Sequence, residues 1–436
     1  MCIPRSADKP PVDLSAPRQN TGEIMGKILG RTGYLCLALA LVLSLGACGK
    51  TTPTPAAPAG KQGAAYKIGF VVAITGASSS LGEPERDVAV MVQKQLDAQG
   101  GIVGPDGVRH PVKIIIQDTE SKGDVAVPVA KKLINDEGVV ALIGPTTSQE
   151  SMALIPVVQE AQVTMISLAS SSAIVKPVAE RKWIFKVAQS NEHTAPWQVK
   201  YAKAKGLTKV ANIYVNNAYG EDGALAIRET AKAEGVEIVL EETFDAADTD
   251  MTAQITKIKA NGAQAVLVTA IPPAAAIFTK QYRELGLTLP LLHNSGVGMQ
   301  SFIDLAGAAN VEGVIFPIGK VVAVDALADT DPQKPVLQRF VADYKAATGK
   351  YPNQFAAHAW DALQIVLQVL QTFPDGLPLT EQRARLRDGI ENLKGFVGAD
   401  GVFNFSPQDH VGLSLNDVVL VRITGGQWRY FPPDQW

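Results

Sequence analysis

The chain has 436 residues, 46% of them hydrophobic and 19% charged, with a formal net charge of −3. That apolar share is globular, and the near-balanced charge gives no reason to expect nucleic acid or an anionic lipid surface as partner. The three cysteines are Cys2, Cys36 and Cys48, so beyond Cys48 there is no thiol and no disulfide can form.

Residues 1–24 carry Pro4, Pro10, Pro11 and Pro17 and show no apolar periodicity. Met25 opens an ordinary basic n-region with Lys27 and Arg31, so the first 24 residues read as an untranslated or disordered leader and Met25 as the start. An apolar stretch of about 15 residues follows, shorter than the roughly 20 needed to span a bilayer. It closes in Leu45-Gly46-Ala47-Cys48, a lipobox. Residues 25–47 therefore read as a lipoprotein signal peptide and Cys48 as the lipid-modified N-terminus of an exported, membrane-tethered protein. Residues 48–65, rich in Thr, Pro, Ala and Gly, have the composition of a flexible tether. Roughly 370 residues remain, more than one ordinary core holds and enough for two lobes.

From Tyr66 onward, short β-branched runs alternate with amphipathic ones. Strands are predicted at 67–72, 112–117, 139–143 and 163–167, with helices at 84–99, 125–136 and 149–161. The alternation restarts after Ile184-Phe185-Lys186-Val187, with strands at 210–215, 237–241, 265–269 and 289–292. Continuous apolar strands separated by helices imply parallel sheets covered on both faces. Long helices then return at 335–348, 355–372 and 381–393, before short strands at 402–405, 417–423 and 428–431. Helices after the second series are explained if the chain crosses back to complete the first lobe.

Enzyme signatures are absent from this reading: no dinucleotide or phosphate loop, no nucleophile elbow and no His-Glu-x-x-His. His110, His193, His293, His358 and His410 lack metal-ligand spacing. No catalytic residue, metal or cofactor is expected. What stands out is three hydroxyl-rich loops after first-lobe strands: Thr75 to Gly82, Gly144 to Glu150 and Leu168 to Ser172. Thr147-x-x-Glu150 is a capping box, which needs only one hydroxyl. The surplus hydroxyls and a helix N-terminus could hold a small anionic or polar ligand without a Lys or Arg.

These loops, the lipobox and the two-lobed pattern resemble the solute-binding lipoproteins of branched-chain amino acid ABC transporters. The likeness runs from Tyr66 to Trp436. It is carried by Ile68-Gly69-Phe70-Val71 with Thr75-Gly76, Gly100-Gly101-Ile102, Gln117-Asp118-Thr119, Ile143-Gly144-Pro145 with Ser148, Asn217-Ala218-Tyr219-Gly220 and Ala357-His358-Ala359-Trp360-Asp361-Ala362. The resemblance implies an α/β fold of the type I periplasmic-binding-protein (Venus flytrap) kind, two doubly wound lobes joined by three crossing strands. Lobe 1 would be residues 66–188 with 319–408, and lobe 2 residues 189–318 with 409–436. The crossings would lie near Ala188-Gln189, Pro317 to Gly319 and Gln408 to Gly412.

By the same resemblance, Ser148, Ala169 (through its backbone) and Ser171 would hold a ligand carboxylate and Tyr219 would close over it, with Thr147 and Ser170 of the same hydroxyl-rich loops as further candidates. Leu81 and Ile271 replace aromatic wall positions of the family. Ser295 stands where the family has the acid that pairs with a ligand ammonium. A buried ammonium without that partner loses several kcal/mol, so the ligand is an amino acid paired elsewhere, an amine-free organic acid, or an amide. The partners implied are permease subunits, with a sensor protein as the alternative; the protein is expected to be a monomer in the periplasm or at the cell surface.

Overall fold

The computed structural model describes residues 61–436. The leader, the signal segment, Cys48 and the tether as far as Gly60 lie outside the described residues. From Lys61 the chain is already pinned. The Gly63 N–H donates to Arg109 O and the Arg109 N–H to Lys61 O, each at 2.9 Å, so the last residues assigned to the tether belong to the body.

The first series comprises β1 (Tyr66–Val72), α1 (Ser79–Gln99), the short hairpin β2 (Ile102–Val103) and β3 (Arg109–His110), β4 (Val112–Asp118), α2 (Gly123–Asn135), β5 (Ala141–Ile143), α3 (Ser148–Ala161), β6 (Thr164–Ser167) and β7 (Ile184–Lys186). Its sheet is parallel throughout, in the order β4-β1-β5-β6-β7. Helix α1 starts five residues before the Pro84 that the sequence suggests as its first turn. The Leu81 and Gly82 N–H groups already reach Ser78 O, and Pro84 is carried inside the helix. Gly82 allows this entry, because a Cβ there would lie 2.0 Å from Ala73 O.

The second series runs α4 (Asn191–Ala204), β8 (Lys209–Val215), α5 (Ala218–Glu234), β9 (Glu237–Phe244), α6 (Thr252–Ala260), β10 (Ala265–Thr269), α7 (Ala274–Glu284), β11 (Leu291–His293), α8 (Gln300–Ala306), α9 (Ala308–Val311) and β12 (Ile315–Gly319). The chain then adds α10 (Lys334–Thr348), α11 (Gln354–Leu370), α12 (Leu379–Glu391), a small pair β13 (Lys394–Val397) and β14 (Val402–Asn404), and a closing hairpin β15 (Val418–Thr424) and β16 (Gln427–Tyr430). The second sheet has the order β16-β15-β12-β11-β10-β8-β9, parallel from β9 to β12 and antiparallel at β15 and β16. Alternate residues of β10 face opposite cores: Val266 and Val268 pack on one side, Ala265 and Leu267 on the other. Burial on both faces is why its run is apolar without alternation.

Helices α10, α11 and α12 pack their apolar stripes (Leu337, Phe340, Leu363, Val366, Leu386) into the core of the first sheet. The chain therefore passes between the sheets three times: after β7, after β12 and before β15. The passages meet at a buried polar knot. Gln189 Nε2 donates to Asp400 O at 2.8 Å, Asp361 accepts the Ala399 and Asp400 N–H groups at 2.7 Å each, and His358 Nδ1 lies 2.7 Å from Asp400. Burial pushes His358 down to about 3 and the Asp361 and Asp400 carboxyls well up. Among the described residues no helix is long and apolar enough to cross a membrane.

Candidate ligand-binding cleft

In the first sheet the order of strands reverses between β1 and β5, and in the second between β8 and β10. At such switch points the loops leaving the strand ends turn to opposite faces and open a crevice. Loops from both crevices line one cavity of about 560 Å³. The first-sheet side supplies Ala77, Ser78 and Leu81 after β1, Thr146 to Glu150 after β5, and Leu168 to Ser170 after β6. The second-sheet side supplies Asn217 and Tyr219 after β8, Ile271 to Ala274 after β10, and Gly296 after β11.

The floor is the turn from β5 into α3. Gly144 sits at φ +99°, and a Cβ there would lie 1.9 Å from Val71 O, so only glycine lets the chain leave the strand this way. Each hydroxyl beyond it has a distinct partner. Thr146 Oγ1 accepts the Ala73 N–H at 2.9 Å and donates to buried Glu85 at 2.5 Å, clasping the first loop to the second. Thr147 caps α3 in a full capping box with Glu150. Ser148 Oγ accepts the Ser171 N–H at 3.2 Å, tying the second loop to the third. Thr75, in the first loop, donates to Asp118 at 2.6 Å. Most of the hydroxyl surplus is thus absorbed in holding the loops together. What remains open is the helix end: among the described residues the Ser148 and Gln149 N–H groups have no protein partner.

The opposite wall is built on α5. Asn217 Oδ1 accepts the Tyr219 and Gly220 N–H groups at 3.0 and 3.1 Å, and this cap aims Tyr219 at the cavity. Burial raises the Tyr219 hydroxyl far above its ordinary range, so it stays protonated; it accepts the Gly296 N–H at 3.2 Å. Gly296 must be small, since a Cβ would meet Ile271 and the Tyr219 oxygen at 2.8 Å.

Leu81, Thr147, Ser148, Ala169, Ser170, Tyr219 and Ile271 therefore come together around the cavity. Ser171 and Ser295 are buried just behind its wall. The Ala169 N–H donates to Ser167 Oγ at 3.2 Å. Sequence reasoning missed Gln354 and Phe355, brought in by α11, and the cap Asn217. It also missed Glu150 as a cavity acid. Burial raises that carboxyl's pKa, while the Thr119 and Thr147 hydroxyls beside it pull the other way.

The two sides touch across the cavity. Gln354 Nε2 donates to Ser295 O, and Asp222 of α5 accepts the Ser172 N–H at 3.0 and 3.1 Å. Leu81 and Phe355 pack within the apolar cluster of the second sheet.

A profile of the periplasmic binding protein family matches residues 65–427. The chain belongs to that family. It is similar to an amino acid binding protein of Pseudomonas aeruginosa, 28% identical over 353 residues, covering 78% of this chain and 84% of that one. A leucine-, isoleucine-, valine-, threonine- and alanine-binding protein of the same organism is 24% identical over 337 residues, covering 77% and 85%. An extracellular ligand-binding receptor from Rhodopseudomonas palustris superposes with a TM-score of 0.77 at 30% identity, covering 84% of this chain and 99% of that one. The fold is that of the type I periplasmic binding proteins. Among the described residues no three His, Cys, Asp or Glu side chains converge to hold a metal.

Proposed function

We propose that this protein is the lipid-anchored substrate-binding subunit of an ABC uptake transporter of the branched-chain amino acid type, closing its two lobes over a small carboxylate-bearing ligand. The observation that carries the reading is the cavity at both switch points, where a helix end with two unpartnered N–H groups faces apolar walls from Leu81, Ile271 and Phe355. Backbone donors and the positive end of α3 suit a carboxylate, and the apolar walls suit a short aliphatic or aromatic body. Ser295 leaves the usual ammonium position without an acid, which favours an amine-free acid such as isovalerate or benzoate.

A second reading rests on Glu150, an acid lining the cavity, whose carboxylate could receive an ammonium and so admit an amino acid. Thermal shift with leucine, isovalerate, benzoate and benzamide separates them. A ligand at a hundredfold its Kd adds about 2.7 kcal/mol of stability. The acids are expected to raise Tm and leucine to do so weakly. A leucine shift that Glu150→Gln abolishes would establish the second reading, and no shift with any carboxylate would end both. For the anchor, Cys48→Ser is expected to release the protein from membranes; unchanged membrane retention would refute lipidation at Cys48. Loss of ligand uptake on gene deletion separates the transporter role from a receptor that serves a sensor.

A further inference from the structure

Lys186 ends β7 and is completely buried. The β6–β7 register pairs it with Ser167, directly before the turn Leu168 to Ser171 that borders the cavity. Its ammonium donates to Ser190 Oγ at 3.0 Å and to the Ser171 carbonyl at 3.4 Å, and it joins no ion pair among the described residues. Taking an ammonium that deep without an acid partner is costly, and an apolar side chain of similar volume would avoid the penalty. Burial lowers its pKa to about 7.

The groups facing Lys186 are Asp222 of α5, Glu192 and His193 of α4, His358 of α11, and Lys176 and Asp409 from neighbouring loops. Asp222 exerts the largest attraction, yet its oxygens already receive the Ser172 N–H and Asn191 Nδ2. The Ser171 N–H points the other way, to Ser148 on the cavity floor. One side of this turn thus rests on a buried cation while the other borders the cavity.

We infer that Lys186 is a positioning and charge-selecting residue, holding the Ser171 turn from behind and making the cleft prefer a carboxylate of net charge −1 over a zwitterion or neutral amide of the same shape. The inference rests on the carboxylate reading above. An anion at the turn stabilises the protonated lysine, so binding takes up a proton and weakens as Lys186 deprotonates.

The test measures affinity of isovalerate, benzoate, leucine and benzamide for wild type, Lys186→Arg and Lys186→Met from pH 6.5 to 9, where both acids stay ionised. His193, pushed down by burial, is neutral over most of that range. Wild-type affinity for the acids is expected to fall about tenfold across it. The arginine variant, always charged, is expected to bind without pH dependence, and the methionine variant weakly and equally without it. Binding by wild type that ignores pH, methionine-variant affinity equal to wild type at pH 6.5, or leucine bound as tightly as isovalerate would each overturn the inference. If only benzamide binds wild type, the carboxylate reading itself fails. Should the methionine variant not fold, the loss of pH dependence in the arginine variant still decides the matter.

Discussion

At the scale of single residues, the cleft is made of groups whose neighbours already constrain them. Ser148 is both a cavity residue and the acceptor for the Ser171 N–H, so under the carboxylate reading Ser148→Ala would remove a ligand contact as well as loosen the third loop. Carboxylate affinity measured by titration calorimetry is expected to drop five- to tenfold, the effect of about 1 kcal/mol for one hydrogen bond; an unchanged Kd would take Ser148 out of the site. Lys186 leaves a mark even without ligand. Its native pKa of about 7 lies below the ordinary value of 10.5. Between those values the unfolded chain holds a proton that the native protein has released, so stability attributable to this residue rises with pH. The stability gap between Lys186→Met and wild type, from urea melts, is expected to be widest below pH 7 and to close toward pH 10. A gap constant with pH would mean that Lys186 is not buried as a cation. Little of this was legible in the sequence. A lysine closing the run Ile184-Phe185-Lys186 looks like any strand end, and its burial is decided by the turn above it and by α4 and α5, all set by tertiary packing.

Elements were easier to read than sites. Long apolar strands such as β1 and β10 declare themselves, because burial on two faces leaves no room for polar alternation. β12 hid behind Pro317, which argues against a central strand. It is tolerated because β11 pairs with β12 only at Leu292 and Ile315, so the missing N–H lies beyond the end of that ladder. The capping box of α3 was legible from Thr147-x-x-Glu150, and its geometry makes a sharp expectation. Thr147→Ala withdraws the acceptor from the Glu150 N–H and should cost about 1 kcal/mol in chemical denaturation. Ligand binding should weaken with it, since the same cap orients the open N–H groups; a stability loss with no change in binding would separate α3 from the site. Gln354 and Phe355 left no local signal at all. They begin a helix some 200 residues from the floor loops they face, and only the return of α10 to α12 to the first sheet brings them there.

For the whole molecule, the contacts across the cavity describe a closed arrangement: Asp222 to Ser172, Gln354 to Ser295, and Leu81 with Phe355 against the second-sheet cluster. Opening must break them, and a ligand bridging both sides would add to them, so under the proposed transporter role closure would be the signal to the permease. Asp222→Ala is expected to shift the ligand-free protein toward an open form, seen as a larger radius of gyration by X-ray scattering and a several-fold higher Kd. Identical scattering curves with and without the substitution would make Asp222 an incidental contact. The three passages between the sheets carry a further consequence, for biosynthesis. The first sheet is covered in part by α1, α2 and α3, but its core is completed only when α10, α11 and α12 arrive, more than a hundred residues after its last strand. A nascent chain that has emerged only as far as β12 still lacks the three helices that complete the first-sheet core. Completion of the first half is therefore coupled to synthesis of the final third of the chain, whose return across the sheets closes it last.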